Sequence, residues 1–166
     1  MNSLLGSGSL ALLALLLAAA IADALPAQAP GWTWTQVVPS GSIPSAQTND
    51  AMAYDSQRGR AVLLVTPVIA PSLTWEWGGV SWAQLPVTSP GSAMRVEHAM
   101  AFDSQRGRTV LFGGELGSPT GTWEWDGTIW TQVALPGLSP GSRRGHAMVY
   151  DSQRGKTVLF PLCQRE

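Results

Sequence analysis

The chain has 166 residues, of which ten are basic and eleven acidic, for a net charge of −1. That balance gives no electrostatic footprint for a nucleic acid or an anionic surface. The single cysteine, Cys163, excludes an internal disulfide, and nothing near it in sequence would lower its thiol pKa for nucleophilic chemistry.

Residues 10–22 form an unbroken apolar run closed by Ala22, Asp23 and Ala24. The pattern predicts an N-terminal signal helix cleaved after Ala24, and therefore export to a secreted, periplasmic or cell-surface location. An uncleaved anchor is the alternative, because no Lys or Arg precedes Arg58. Glycines and serines at residues 6–9 shorten the apolar stretch below the roughly 20 residues of a spanning helix. The expected plan is a signal peptide at 1–24, a linker at 25–31 and a repeat region at 32–160. No stable membrane span is expected once the signal is removed.

Three copies of Asp-Ser-Gln-Arg-Gly, at residues 55–59, 103–107 and 151–155, recur at a spacing of 48 residues. The match extends on both sides of each copy. Met52, Met100 and Met148 precede it, Val62, Val110 and Val158 follow it, and Trp34, Trp82 and Trp130 fall on the same grid. A fixed period of about 40 to 50 residues rich in Trp and turn residues is the signature of propeller blades.

In chain order, residues 32–38 read as a lone strand of the type that closes a blade. Each full copy then reads as a four-stranded meander. Residues 98–102 alternate small and large side chains, as a strand against a crowded neighbour does. Asp103 is expected to accept hydrogen bonds from amides two or three residues on, and Gly107 to take a positive φ that closes the hairpin. Residues 109–112 form a continuous apolar run suited to a strand covered on both faces. Residues 122–125 alternate Trp with Thr and Glu, and Asp126-Gly127 predicts a type I′ turn into residues 129–133. A sheet with two apolar faces must stack on copies of itself, which accounts for the tryptophans as packing between blades rather than as sugar platforms.

The order of Arg95 and His98, an apolar run into Gly113-Gly114, an aromatic strand and Trp130 resembles the kelch repeat. With the Asp-x-x-Arg-Gly turn and the Trp-x-Trp-Asp-Gly hairpin, the chain is most similar to exported bacterial kelch-type proteins, over roughly residues 32–160. The resemblance implies an all-β fold of kelch-type β-propeller blades, each a four-stranded antiparallel meander. Departures occur at Val65-Thr66 and Pro161-Leu162, where the double glycine is absent, and at Gly78-Gly79, where the Asp-Gly turn is altered.

The strand inventory is one closing strand at 32–38, blades at about 50–86 and 98–134, and a half blade at about 146–160, followed by an aberrant tail at 161–166. That is eleven expected strands, against the about four to eight full blades of a closed ring. An open partial propeller is therefore expected. A truncated product of a longer gene without independent activity, assembly of two chains through exposed blade edges, and a stable open arc are the three explanations.

Catalytic candidates are few. His98, His146 and Asp50 could serve as metal ligands in principle, but one repeat of separation places them on neighbouring blades and holds them apart. Kelch-related oxidases use copper with tyrosine and a tyrosine-cysteine cross-link. Tyr54 and Tyr150 instead share the repeat position of Phe102 and read as packing residues. No cofactor, no metal and no catalytic constellation is expected, and a metal-dependent propeller enzyme is the lesser alternative. The connections at residues 66–73, 86–97, 114–121 and 134–145 differ between copies and emerge on one edge. That edge carries the candidate ligand-face residues Arg95, Glu97, His98, Glu115, Arg143, Arg144 and His146, and predicts a non-catalytic module binding a protein or a glycan.

Overall fold

A computed structural model of the chain describes residues 35–46, 49–67, 70–88, 90–91, 95–114, 121–134 and 140–160. Contacts divide the chain into one unit at residues 1–37 and a second at 38–166. The signal at 1–24, the linker at 25–31 and the tail at 161–166 lie outside the described residues. Among those residues no helix occurs, and so none is long and apolar enough to cross a membrane.

The described structure is all-β. β1 (Ala51–Asp55), β2 (Arg60–Val65), β3 (Leu73–Trp77) and β4 (Trp82–Gln84) form a first antiparallel sheet in sequential order. β5 (Ala99–Asp103), β6 (Arg108–Phe112), β7 (Thr122–Trp125) and β8 (Trp130–Val133) form a second of the same topology, and β9 (Ala147–Asp151) pairs with β10 (Lys156–Phe160) in a third. The register repeats as well. Ala53 faces Val62, Ala101 faces Val110, and Val149 faces Val158. β1 packs beside β5 and β5 beside β9, so successive sheets meet through their first strands. Open sheets related in this way are compatible with part of a β-propeller.

Ten strands are described rather than eleven. Of the expected strand at 32–38, residues 32–34 lie outside the described part. Residues 35–38 carry no ladder, and the nearest pairing is a single parallel bridge from Ser40 to Ser81.

The core forms where one face of the first sheet meets the opposite face of the second. Ala53, Val62 and Leu64 from the first sheet pack with Met100, Leu111, Trp125 and Trp130 from the second. Period-two alternation puts Thr74 and Glu76 on that same face of β3. Both meet indoles of the next sheet. Trp130 Nε1 donates to Thr74 Oγ1 at 2.9 Å, and Trp125 Nε1 donates to Glu76 Oε1 at 3.2 Å. Trp125 is 1% exposed, and replacing so large a buried side chain by Ala typically costs about 3–5 kcal/mol. Trp125 and Trp130 thus serve as inter-sheet packing with a polar handle.

The Asp-Ser-Gln-Arg-Gly turn is built as its sequence requires. Asp103 Oδ1 accepts the amides of Gln105 at 3.0 Å and Arg106 at 3.1 Å, and Gly107 sits at φ +64°. Asp55 and Asp151 do the same. The remaining residues of the motif reach further than the turn. Arg58 joins Asp55 at 2.6 Å to Glu76 at 2.7 Å. Arg106 grips Glu124 through both terminal nitrogens, at 2.6 and 2.7 Å. Gln57 Nε2 donates across to the Ser104 carbonyl of the following turn at 2.7 Å. Its amide lies where a Cβ on Gly107 would fall, 2.6 Å from Gln57 Oε1, and Gln105 bears on Gly155 in the same way.

The expected type I′ turn after β7 is corrected. Asp126 donates its amide to the Ile129 carbonyl at 3.4 Å, and Asp126 Oδ1 accepts from Thr128 and Ile129 at 2.8 and 2.9 Å. Only Gly127, at φ +97°, takes a positive φ, whereas a type I′ turn requires one at both central residues. Gly79 at φ +96° makes the same turn in the first sheet. There Arg60 occupies the space a side chain on Gly78 would need.

Candidate functional site

The variable connections gather at the edge where β2 and β6 end and β3 and β7 begin. In the second repeat this edge is fastened by main-chain contacts between loops. Val96 donates to the Gly114 carbonyl at 2.8 Å, Gly114 to the Arg143 carbonyl at 3.0 Å, and Gly145 to the Glu97 carbonyl at 2.8 Å. Gly113 and Gly114 have φ of +76° and +77°. A Cβ on Gly113 would fall 2.5 Å from the His146 ring, and one on Gly114 would fall 2.8 Å from the His98 Cβ. The double glycine is therefore needed twice over, for its backbone and for the histidines packed on it.

Three of the candidate ligand-face residues prove to be beneath the surface. Arg95 is 2% exposed. Its Nε and Nη2 donate to the Pro90 carbonyl at 3.1 and 3.0 Å and its Nη1 to the Gly113 carbonyl at 2.9 Å, with the guanidinium 6.0 Å from the Trp123 ring centre. A buried cation that binds the Pro90 and Gly113 carbonyls orders the loop around it. His98 is 6% exposed, and neither ring nitrogen has a hydrogen-bond partner among the described residues. Burial, and then the charges of Arg95 and His146, push its pKa down to about 4. His146 packs edge-on to Phe112 at 5.5 Å between ring centres. Burial lowers its pKa too, the Phe112 carbonyl acts the other way, and the Arg143 charge lowers it further.

Glu97, Arg143 and Arg144 lie nearer solvent. Glu97 holds an unusual φ of +54°, and its carboxylate lies 4.0 Å from Arg144 Nε with both side chains exposed, a pair worth little in water. Arg143 Nε donates to the Gly141 carbonyl at 3.1 Å. Glu115 lies outside the described residues. Among those residues no three His, Cys, Asp or Glu side chains converge as a metal-binding group would require. His98 and His146 are close enough to feel each other's charge, while Asp50 spends its carboxylate on the Thr66 amide at 3.2 Å.

Beside this edge lies a cavity of about 600 Å³ that residue-by-residue reading missed. Pro71, Ser72 and Leu73 line it from the first sheet, Val87 and Thr88 from the connection after β4, and Trp123 and Trp130 from the second sheet. Its size lies within the about 300–1,000 Å³ of small-ligand pockets. The lining is mostly apolar, and the buried Trp123 Nε1 has no acceptor among the described residues. A sequence signal did exist: Pro71, Ser72 and Leu73, which line the cavity, belong to a stretch that differs from its counterpart in the next copy. A second groove, of about 360 Å³, runs along β1, β5 and β9 and is lined by Tyr54, Phe102, Tyr150 and the motif serines Ser56, Ser104 and Ser152. No protein-family model and no curated protein matches the chain by sequence.

Proposed function

We propose that the chain is an exported, partial kelch-type propeller that acts as a non-catalytic binding module through its loop-bearing edge. The observation that carries this reading is the apolar cavity of about 600 Å³ on that edge. It combines a rigid floor of Trp123 and Trp130 with walls drawn from connections that differ between the copies. Scaffold-held, variable loops around a concave apolar surface are where recognition sites are found. The ligand is a protein or glycan that presents an apolar face, such as an aliphatic side chain or the flat side of a sugar ring stacked on indole.

The test uses Thr88, which lines the cavity and is exposed. A mature protein is screened against a glycan array and an extracellular protein fraction, and Thr88→Trp is compared with it. The substitution starts from an exposed position and places an indole over Trp123 and Trp130 in the cavity without removing any core side chain, and should reduce capture at least tenfold, with an unchanged melting curve. Equal capture by both proteins, or no capture from either source, removes the cavity as a binding site.

A further inference from the structure

Two imidazoles pack against the double glycine of the loop edge, His146 on Gly113 and His98 on Gly114. His98 is 6% and His146 7% exposed, and no ring nitrogen of either makes a hydrogen bond among the described residues. A buried polar group without a partner is rare, and its charged form is costly. The neighbours raise that cost. His98 faces Arg95, itself 2% exposed, and His146. His146 faces Arg143, and the Phe112 carbonyl favours its charged form only in part. Glu97, in the same loop as His98, offers no relief, because its carboxylate is exposed and lies 4.0 Å from Arg144 Nε. The loops that cover the rings are held to one another by main-chain ties from Val96 to Gly114, Gly114 to Arg143 and Gly145 to Glu97.

We propose that His98 and His146 form an acid-sensitive latch: on taking up protons they release the loop edge from the double glycine while the sheets stay folded. An imidazolium in this place has an arginine beside it and no carboxylate, so the protonated ring is stable only in water. Acid therefore favours any opening that hydrates the rings. The smallest such opening breaks the main-chain ties and lifts the two rings off Gly113 and Gly114. It leaves the core of Val62, Leu111 and Trp125 covered, whereas global unfolding hydrates the same rings and exposes that core as well. Because the folded-state pKa of His98 lies at about 4, below the hydrated value of 6.5, its preference for the closed edge is complete above pH 6.5 and fades as pH falls toward 4. By pH 5 the opening equilibrium rises by up to roughly 30-fold from His98 alone.

The latch reaches the cavity through Arg95. Its guanidinium holds the Pro90 carbonyl and lies 6.0 Å from the Trp123 ring centre, so release of the loop that carries it loosens that side of the cavity too. The first repeat has no such device, since Asp50 stands one period of 48 residues before His98 and accepts the Thr66 amide at 3.2 Å. The latch needs no ligand, so its failure leaves the binding reading standing and the failure of that reading leaves the latch.

The experiment follows amide hydrogen exchange of the full chain by NMR at pH 7 and at pH 5, where most carboxylates are still ionised, with low urea added in steps. The protection factors of the Val96, Gly114 and Gly145 amides should fall at least about tenfold at pH 5. Their dependence on urea should stay well below that of the β5–β6 ladder, the mark of a local opening. His98→Gln should reduce the pH response to less than about threefold, and adding His146→Gln should remove it. Edge amides that exchange with the protection and urea dependence of the β5–β6 ladder overturn the proposal, because the rings are then hydrated only by global unfolding. Equal protection at both pH values, or a response that survives both substitutions, also overturns it. The imidazole resonances of the unaltered protein give a reading that needs no variant: a His98 ring still neutral at pH 5 is expected, and one that titrates near 6.5 overturns the latch.

Discussion

His98 shows how far a residue's place in the chain can differ from its place in the molecule. In sequence it opens a strand next to charged loop residues. In the fold it lies against Gly114 with its ring shielded from water and near the Arg95 guanidinium. Burial and that positive neighbour favour the neutral imidazole, so its folded pKa of about 4 lies below the roughly 6.5 of an unfolded histidine. As pH falls below about 6.5 the unfolded chain takes up the proton first, and stability drops until pH reaches the folded value. The loss amounts to about 3 kcal/mol by pH 4, the equivalent of the shift at 1.36 kcal/mol per unit. His146, also lowered by burial, adds to the same trend. Urea denaturation at pH 7 and pH 4.5 should show this decline, and His98→Phe should flatten much of it. A His98→Phe protein with the original pH dependence would assign the effect elsewhere.

At the scale of the element, the same motif has different consequences in successive sheets. Glu76 accepts both Arg58 and the buried Trp125 indole, whereas Glu124 is held by Arg106, which is 56% exposed. Glu76→Ala therefore strands a buried N–H and should cost about 2 kcal/mol. Glu124→Ala removes a solvent-screened pair and should cost about 0.5 kcal/mol. Equal losses in chemical denaturation would show that the indole contact contributes nothing. The hairpins, the order of strands and the role of Asp103 and Gly107 were legible in the sequence because they depend on neighbours a few residues away. Arg95 was not. Its burial rests on the Pro90 and Gly113 carbonyls, five and eighteen residues distant, and a loop arginine reads equally well as a surface contact. The turn after β7 was misjudged by one residue's φ, because Asp-Gly specifies where glycine's freedom is used only once the strand register is known.

At the scale of the whole molecule, cover is uneven. Both faces of β5 and β6 are enclosed where sheets meet, whereas β1 leaves Met52 and Tyr54 exposed and the third sheet, of two strands among the described residues, leaves Val149, Val158 and Phe160 exposed. An isolated pair of strands is marginal in water, so β9 and β10 depend on their contact with β5. Hydrogen exchange should find amides of the β9–β10 ladder opening at least tenfold more readily than those of β5–β6. Uniform protection across all three sheets would mean that the third is held by cover beyond its described neighbours. The Gln57 contact with the next turn carries a last implication. Within five residues each unit holds both a forward hook, its glutamine, and a rear socket, its glycine. A tandem copy of the coding segment therefore arrives already fitted to the unit before it and the unit after it. Lengthening such an array by duplication reproduces this contact at the new junction, which makes the spacing of 48 residues the natural quantum of its growth.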